Sequence, residues 1–266
     1  MKRCGGVFSD IDGTFLDSDH KVLPRTIEAI ERLNEQGIPF ALVSARSPGE
    51  IYPILEQYGL RCPFIACSGG LILDENRQVL WEQGMEQQEA GEIIRWAEEQ
   101  QLPLAWCAYS LDQWIVKDRK DPRIRKEEEI VGICAREGSI SSLPEGDRIY
   151  KLMCICDPEK TLEIEEKLTE RFPGHSIAKS SPILIEIMAG GIHKARAVEW
   201  LCRFWGISPR ETLAFGDNYN DLEMLQLCRG AAMGNAPEEI RQKAEYVTAD
   251  HDHDGIYRLL KELSII

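Results

Sequence analysis

Residues 5–16 read GGVFSDIDGTFL, and the fold is decided there. Gly6-Val7-Phe8 is a short apolar run of the kind a strand buried on both faces presents. It ends in Ser9 and Asp10, and Asp12, Gly13 and Thr14 follow at once. Turn-forming residues set just beyond a strand's carboxyl end stand where open α/β sheets hold their ligands. Two more such runs follow, IPFALVS at 38–44 and PFIACS at 63–68. Between the first two lies PRTIEAIERLNEQG, which places Ile27, Ile30 and Leu33 on one helical face and Gly37 at the end. The next helix opens on Ser47, Pro48 and Glu50, a capping-box arrangement with proline at the first helical position, and closes near Gly59. Strand and helix thus alternate as a parallel sheet with crossover helices requires.

After Leu80 the rhythm changes. Residues 84–189 read as helix, strand, strand, a helical stretch KDPRIRKEEEIVG, strand, helix, strand, strand. The last two, HSIAKSS and PILIEIM, suit an antiparallel hairpin. Gly84 on one side and Gly190 with Gly191 on the other are expected joints. From His193 the parallel rhythm resumes with a helix KARAVEWLCRFWG, a strand TLAFGD, a helix NDLEMLQLC and the short strands GAAMG and EYVTA. The expected fold class is α/β: a Rossmann-like parallel-sheet core formed by 1–83 and 190–266, interrupted by an inserted α+β cap over 84–189 that reads as a lid.

Composition narrows the partners. The 266 residues are 43% hydrophobic, enough for a core plus a smaller module, and carry a net charge of -14 with a pI near 4.9. Nucleic-acid binding leans on a basic face, so that class is excluded; a small anion held by local charges is not. No stretch approaches the roughly 20 apolar residues of a membrane helix. The amino-terminal MKRCGGVFSDIDG has no apolar signal region, and nine cysteines, an odd number spread through apolar segments, fit reduced thiols; a cytoplasmic location is expected. Cys154 and Cys156 share one face of the run YKLMCIC and read as core packing.

The strand ends form one list: Asp10, Asp12 and Thr14; Ser44; Ser68, Gly69 and Gly70; Gly216 and Asp217, with Lys194 opening the helix after the insert. Carboxylates, a hydroxyl and an ammonium at one sheet edge suit phosphoryl transfer, which needs in-line positioning and charge neutralisation. Asp10 and Asp217 are expected to share a hard cation, Mg2+, which accepts few carboxylates together with water and phosphate oxygens. Taken alone, Asp10 and Asp12 are equally ordinary turn formers. Ser44, Lys194 and Asp217 at matching places turn the balance.

The residues SDIDGT at 9–14, VSAR at 43–46, Lys194 and GDNYND at 216–221 resemble, in order and spacing, the haloacid dehalogenase superfamily. The likeness is to its Cof-like sugar-phosphatase branch with a type IIB cap and covers nearly the whole chain. It implies that Asp10 attacks phosphorus to form an aspartyl phosphate, while Asp12 protonates the leaving oxygen and then activates water. Ser44 and Lys194 would hold the transferring oxygens, and Arg46, Ser68 and Gly69 would lie against substrate. The cation would be bound by Asp10, the Asp12 backbone carbonyl and Asp217, with Asn220 nearby and Asp221 supporting from behind. The substrate implied is a small phosphorylated metabolite; the motifs leave a phosphomutase or a non-catalytic metabolite-binding homologue as alternatives, and leave the number of copies open. Ser44-Ala45-Arg46 stands where Thr-Gly-Arg is common, Gly69 where relatives often carry asparagine, and His193 and Ala195 flank Lys194 in place of asparagine and glycine.

Three further features have bland readings. Asp250 to Gly255 matches the opening of a calcium loop but has Lys261 at the twelfth position, where a glutamate is required, so a strand-end loop near the site is expected. Lys117, Arg119, Lys120, Arg123, Arg125 and Lys126 read first as a solvated face. Trp106, Tyr109 and Trp114 read first as strand core.

Overall fold

The structure is a computed structural model that describes residues 4–111 and 113–266; the first three residues of the amino-terminal stretch read above lie outside it. The chain divides into two compact units, one of residues up to 45, 54–81 and 193–266, the other of 46–53 and 82–192.

The chain opens with β1 (Gly6–Asp10), α1 (Pro24–Glu35), β2 (Phe40–Val43), α2 (Pro48–Gln57), whose first six residues belong to the second unit, β3 (Phe64–Ala66), β4 (Leu71–Leu73) and β5 (Val79–Glu82). Both helices are punctuated as expected. Gly37 takes φ +66 past α1, Gly59 takes φ +62 past α2, and the Glu50 carboxylate accepts the Ser47 amide at 2.7 Å.

The second unit contributes α3 (Gln87–Glu99), β6 (Leu104–Ser110), β7 (Gln113–Val116), α4 (Pro122–Val131), β8 (Arg136–Glu137), β9 (Lys151–Cys156), α5 (Thr161–Arg171), β10 (His175–Lys179) and β11 (Leu184–Ala189). The chain then returns to the first unit with α6 (Lys194–Trp205), β12 (Thr212–Gly216), α7 (Leu222–Leu227), β13 (Arg229–Ala232), α8 (Glu238–Arg241), β14 (Tyr246–Val247) and α9 (Gly255–Glu262).

The eight-stranded sheet runs β14-β13-β12-β1-β2-β3-β4-β5. From β14 to β3 every pairing is parallel. The chain leaves β1 toward β2 on one side and returns through β12 on the other, so the strand order reverses at β1 and its carboxyl end is the switch point of the sheet. One face of α6, with Ala197, Val198, Leu201 and Cys202 fully buried, packs on Phe8, Ala41, Val43, Ile65 and Ala214. Full burial of each large apolar chain contributes about 1.5–3 kcal/mol. β4 is antiparallel to β3, an addition to the parallel pattern read from sequence. The reversal uses Ser68 and Gly69 at φ +56 and +110, so a turn of four residues, 67–70, suffices where a crossover helix would need many more.

The second unit is a six-stranded sheet of order β10-β11-β9-β6-β7-β8. β10 and β11 form the expected antiparallel hairpin. One face carries Trp106, Leu152, Cys154 and Cys156 against Ile93 of α3 and Leu168 of α5; the opposite face carries Tyr109, Trp114 and Met153 with Ile124 of α4. The period of two along each strand accounts for this division. The sequence reading placed the insert at 84–189; the second compact unit runs 82–192 and also takes in 46–53.

Candidate active site

β1 and β12 run side by side, with Ser9 opposite Phe215, so the residues that follow the two strands emerge together. There the carboxylates of Asp10, Asp217 and Asp221 offer oxygens that all lie within 4.8 Å of one another. Lys194, the first residue of α6, reaches into the group. Its Nζ donates to Asp10 Oδ1 and to Asp221 Oδ1, both at 2.6 Å. Lys194 is 2% exposed and Asp221 is fully buried.

Asp221 holds the loop as well as the lysine. Its Oδ2 accepts the backbone amides of Asp217 and Asn218, both at 3.0 Å. A Cβ on Gly216 would come within 2.6 Å of the Asp221 side chain, so glycine lets this carboxylate fold back against the strand end.

Three carboxylates face one ammonium. Burial pushes the Asp10 carboxyl well above its ordinary range, Asp221 and Asp217 add to the push, and Lys194 opposes it. Burial and then Asp221 lift Asp217 from 3.8 to about 6, against the Thr14 hydroxyl bond, Lys194 and His251. For Lys194, burial works against the ammonium, but Asp10 and Asp221 outweigh it and the net displacement is upward. The group is therefore short of positive charge when all three acids are ionised. Hard oxygen donors with a surplus of negative charge fit a small divalent cation.

Asp217 is itself held on both oxygens. Thr14 Oγ1 donates to Oδ1 at 3.2 Å and Asn235 Nδ2 donates to Oδ2 at 3.2 Å. Gly13 takes φ +79, and a Cβ there would meet Asp217 Oδ2 at 2.5 Å, so the loop after β1 approaches the acid only because Gly13 has no side chain.

The other expected residues are placed as follows. Ser44 directly follows β2, buried, and its carbonyl accepts the Ser68 amide at 2.9 Å, which ties the segments after β2 and β3 together. Ser68 is buried in the turn after β3. Gly69 at φ +110 lies so close to α6 that a Cβ would meet the His193 carbonyl at 2.6 Å, so any side chain here would force the backbone to shift. Asp12 is exposed in the turn after Asp10, and its carboxylate stands outside the converging acids. Asn220 is exposed beside the buried Asp221, and Arg46 is half-buried two residues past Ser44.

Asn235 is the residue the sequence reading passed over. Besides Asp217, its Nδ2 donates to the Gly13 carbonyl at 2.9 Å, and its Oδ1 accepts the His251 amide at 3.3 Å. The signal was present: β13 is another parallel strand, and Asn235 stands just beyond its end. Loop 250–255 is a strand-end loop, as expected. Asp252 accepts the Ser18 amide at 2.8 Å and the Ser18 hydroxyl at 2.7 Å. Among the described residues only Asp10, Asp217 and Asp221 form a converging group of three such donors.

In the second unit three members of the basic cluster pair locally: Lys117 with Glu98 at 2.9 Å, Arg119 with Glu128 at 2.6 Å and Arg123 with Asp121 at 2.7 Å. Tyr109 and Trp114 are buried and stacked, with centroids 5.8 Å apart. Lys151 was concealed within an apolar strand. It is 4% exposed, 3.7 Å from Glu186, with its ammonium 4.7 Å from the Tyr109 ring centroid.

The family model of haloacid dehalogenase-like hydrolases matches residues 7–260, and the chain belongs to that family. A Haemophilus influenzae protein that carries the provisional name phosphatase is 36% identical over 267 residues, covering 96% of this chain and 97% of its own. A haloacid dehalogenase-like hydrolase from Bacteroides thetaiotaomicron superposes with TM-score 0.88 at 26% identity, covering 97% of this chain and 98% of that one. A subclass IIB sugar phosphatase of the superfamily, BT4131, superposes with TM-score 0.82 at 24% identity over 98% and 99% of the two chains. The protein is accordingly a hydrolase with an α/β fold built on a parallel-sheet core. No helix among the described residues is long and apolar enough to cross a membrane.

Proposed function

We propose that the protein is a magnesium-dependent phosphatase of a small phosphorylated metabolite and works through a phosphorylated Asp10. The observation that carries this reading is the buried Lys194 bridging Asp10 and Asp221, with Asp217 alongside. Asp10 and Asp217, with the Asp12 main-chain carbonyl, would hold the cation, and Asp221 would support them through Lys194 and the loop amides. When bound, Mg2+ supplies positive charge that offsets the carboxylates and the phosphate oxygens.

Lys194 holds one oxygen of Asp10 and so orients the other toward phosphorus. That oxygen attacks, the ester P–O bond breaks, and the departing oxygen takes the proton of Asp12. Asp12, now a carboxylate, removes a proton from water. The resulting hydroxide attacks phosphorus, the Asp10–phosphorus bond breaks, and inorganic phosphate leaves with Asp10 restored. Ser44 and Lys194 steady the phosphoryl oxygens, for which electrostatic positioning is the main requirement. Arg46, Ser68 and the Gly69 backbone are assigned to substrate, Asn220 to the rim of the cation site, and the inserted unit, read over 84–189 as a type IIB cap, to selecting the leaving group.

The test is Mg2+-dependent release of phosphate from a chromogenic ester, followed by a panel of sugar phosphates, pyridoxal phosphate, flavin mononucleotide and nucleotides. Asp10→Asn should abolish release. Retained turnover in that variant would remove the nucleophile assignment, and an isomeric sugar phosphate in place of free phosphate would turn the reading to a mutase.

A further inference from the structure

We propose that Asn235 is a positioning residue for the cation site: its carboxamide fixes the Asp217 carboxylate and the Gly13 carbonyl in a single relative orientation. The inference rests on the reading of Asp10 and Asp217 as cation ligands.

The amide is fully used. One N–H serves the Gly13 carbonyl at 2.9 Å, the other serves Asp217 Oδ2 at 3.2 Å, and Oδ1 accepts the His251 amide at 3.3 Å. The reverse amide orientation would turn Oδ1 toward two acceptors and the NH2 toward a donor, so the hydrogen-bond network admits one assignment. Asn235 therefore joins the turn after β1, the acid after β12 and loop 250–255. With Thr14 on Oδ1 and Asn235 on Oδ2, both oxygens of Asp217 are donated to before any ion arrives, and rotation of the carboxylate is arrested. Groups that orient a metal ligand from behind act on affinity through that ligand, and their loss commonly costs about 10–100-fold.

A purely structural tie is available for comparison. Ser18 joins two of these three, the segment after β1 and loop 250–255, through Asp252, with hydrogen bonds of 2.8 and 2.7 Å. Asn235 and Ser18 are both exposed, so truncating either leaves no buried cavity.

The experiment titrates MgCl2 calorimetrically into metal-free protein, with MnCl2 binding followed by electron paramagnetic resonance as a second readout. Asn235→Ala should weaken Mg2+ binding by about tenfold or more, and the magnesium concentration that gives half-maximal turnover should rise by the same factor. Ser18→Ala should lower the melting temperature of the metal-free protein and leave the Mg2+ dissociation constant within about twofold. Equal Mg2+ affinity in Asn235→Ala and the parent overturns the proposal, as does equal weakening in the two variants. Absence of Mg2+ binding in the parent instead removes the cation reading on which the proposal stands.

Discussion

Replacing Lys194 with methionine isolates the electrostatic centre of the site. The substitution keeps an apolar stem of similar length in a place that is 2% exposed, and it removes the ammonium that both Asp10 and Asp221 contact at 2.6 Å. The side chains of those acids are 8% and 0% exposed, so two carboxylates lose their buried counter-charge. Breaking a buried pair by deleting one partner costs about 3–5 kcal/mol. At about 2–4 °C per kcal/mol for chains of 150–250 residues, the metal-free protein should melt roughly 10 °C lower. The penalty has a ceiling, since burial already raises the Asp10 carboxyl and without Lys194 it neutralises more readily. A carboxyl whose folded value is raised costs stability at high pH and regains it as pH falls through that value, so the loss should be larger at pH 8 than at pH 5.5. The assay is urea and thermal unfolding of Lys194→Met, Asp10→Asn and the double variant, with chelator present. In the Asp10→Asn background the lysine should be worth less by at least about 1 kcal/mol, the coupling expected of residues in contact. A loss below about 1 kcal/mol, independent of pH and of residue 10, would refute the account.

Asp12→Asn should slow hydrolysis of alkyl phosphates by about 10²–10⁴-fold and of nitrophenyl phosphate far less, because a good leaving group departs unprotonated; equal losses on both esters would remove the general-acid role. The Asp217 carboxyl, lifted from 3.8 to about 6, should stabilise the metal-free fold by roughly 1 kcal/mol as pH falls from 7 to 5. Asp217→Asn should flatten that part of the melting-temperature profile, and an unchanged profile would contradict the assigned titration. Gly69→Ala or Gly69→Asn should destabilise by about 1–3 kcal/mol from its positive φ, with a further cost from the 2.6 Å approach to His193; an unchanged unfolding midpoint in denaturant would show that the loop can move aside.

Most of the core was legible because parallel strands announce themselves. GVFSD, IPFALVS, PFIACS and TLAFGD became β1, β2, β3 and β12, and the residues after them were singled out for that reason alone. Lys194 needed the family pattern, since nothing local distinguishes a buried lysine at a helix start from a solvated one. The reversal into β4 was not read because Ser68-Gly69-Gly70 is compatible with several chain paths, and only the φ values select one. Asn235 was missed because a carboxamide draws less notice than a carboxylate, although its strand position gave the same hint. Lys151 was missed because five apolar neighbours in KLMCIC describe a buried strand and one charge does not alter that pattern.

Thr14 and Asp217 meet across 203 positions of chain, and Asp10 and Lys194 across 184. During synthesis at about 5–20 residues per second, Asp10 emerges from the ribosome roughly 10–40 s before Asp217, which will stand next to it. Throughout that interval β1 has β2 on one flank and nothing on the other, while the whole inserted unit is being made. A nascent chain therefore lacks the converging group of acids until residues 217–221 have been made.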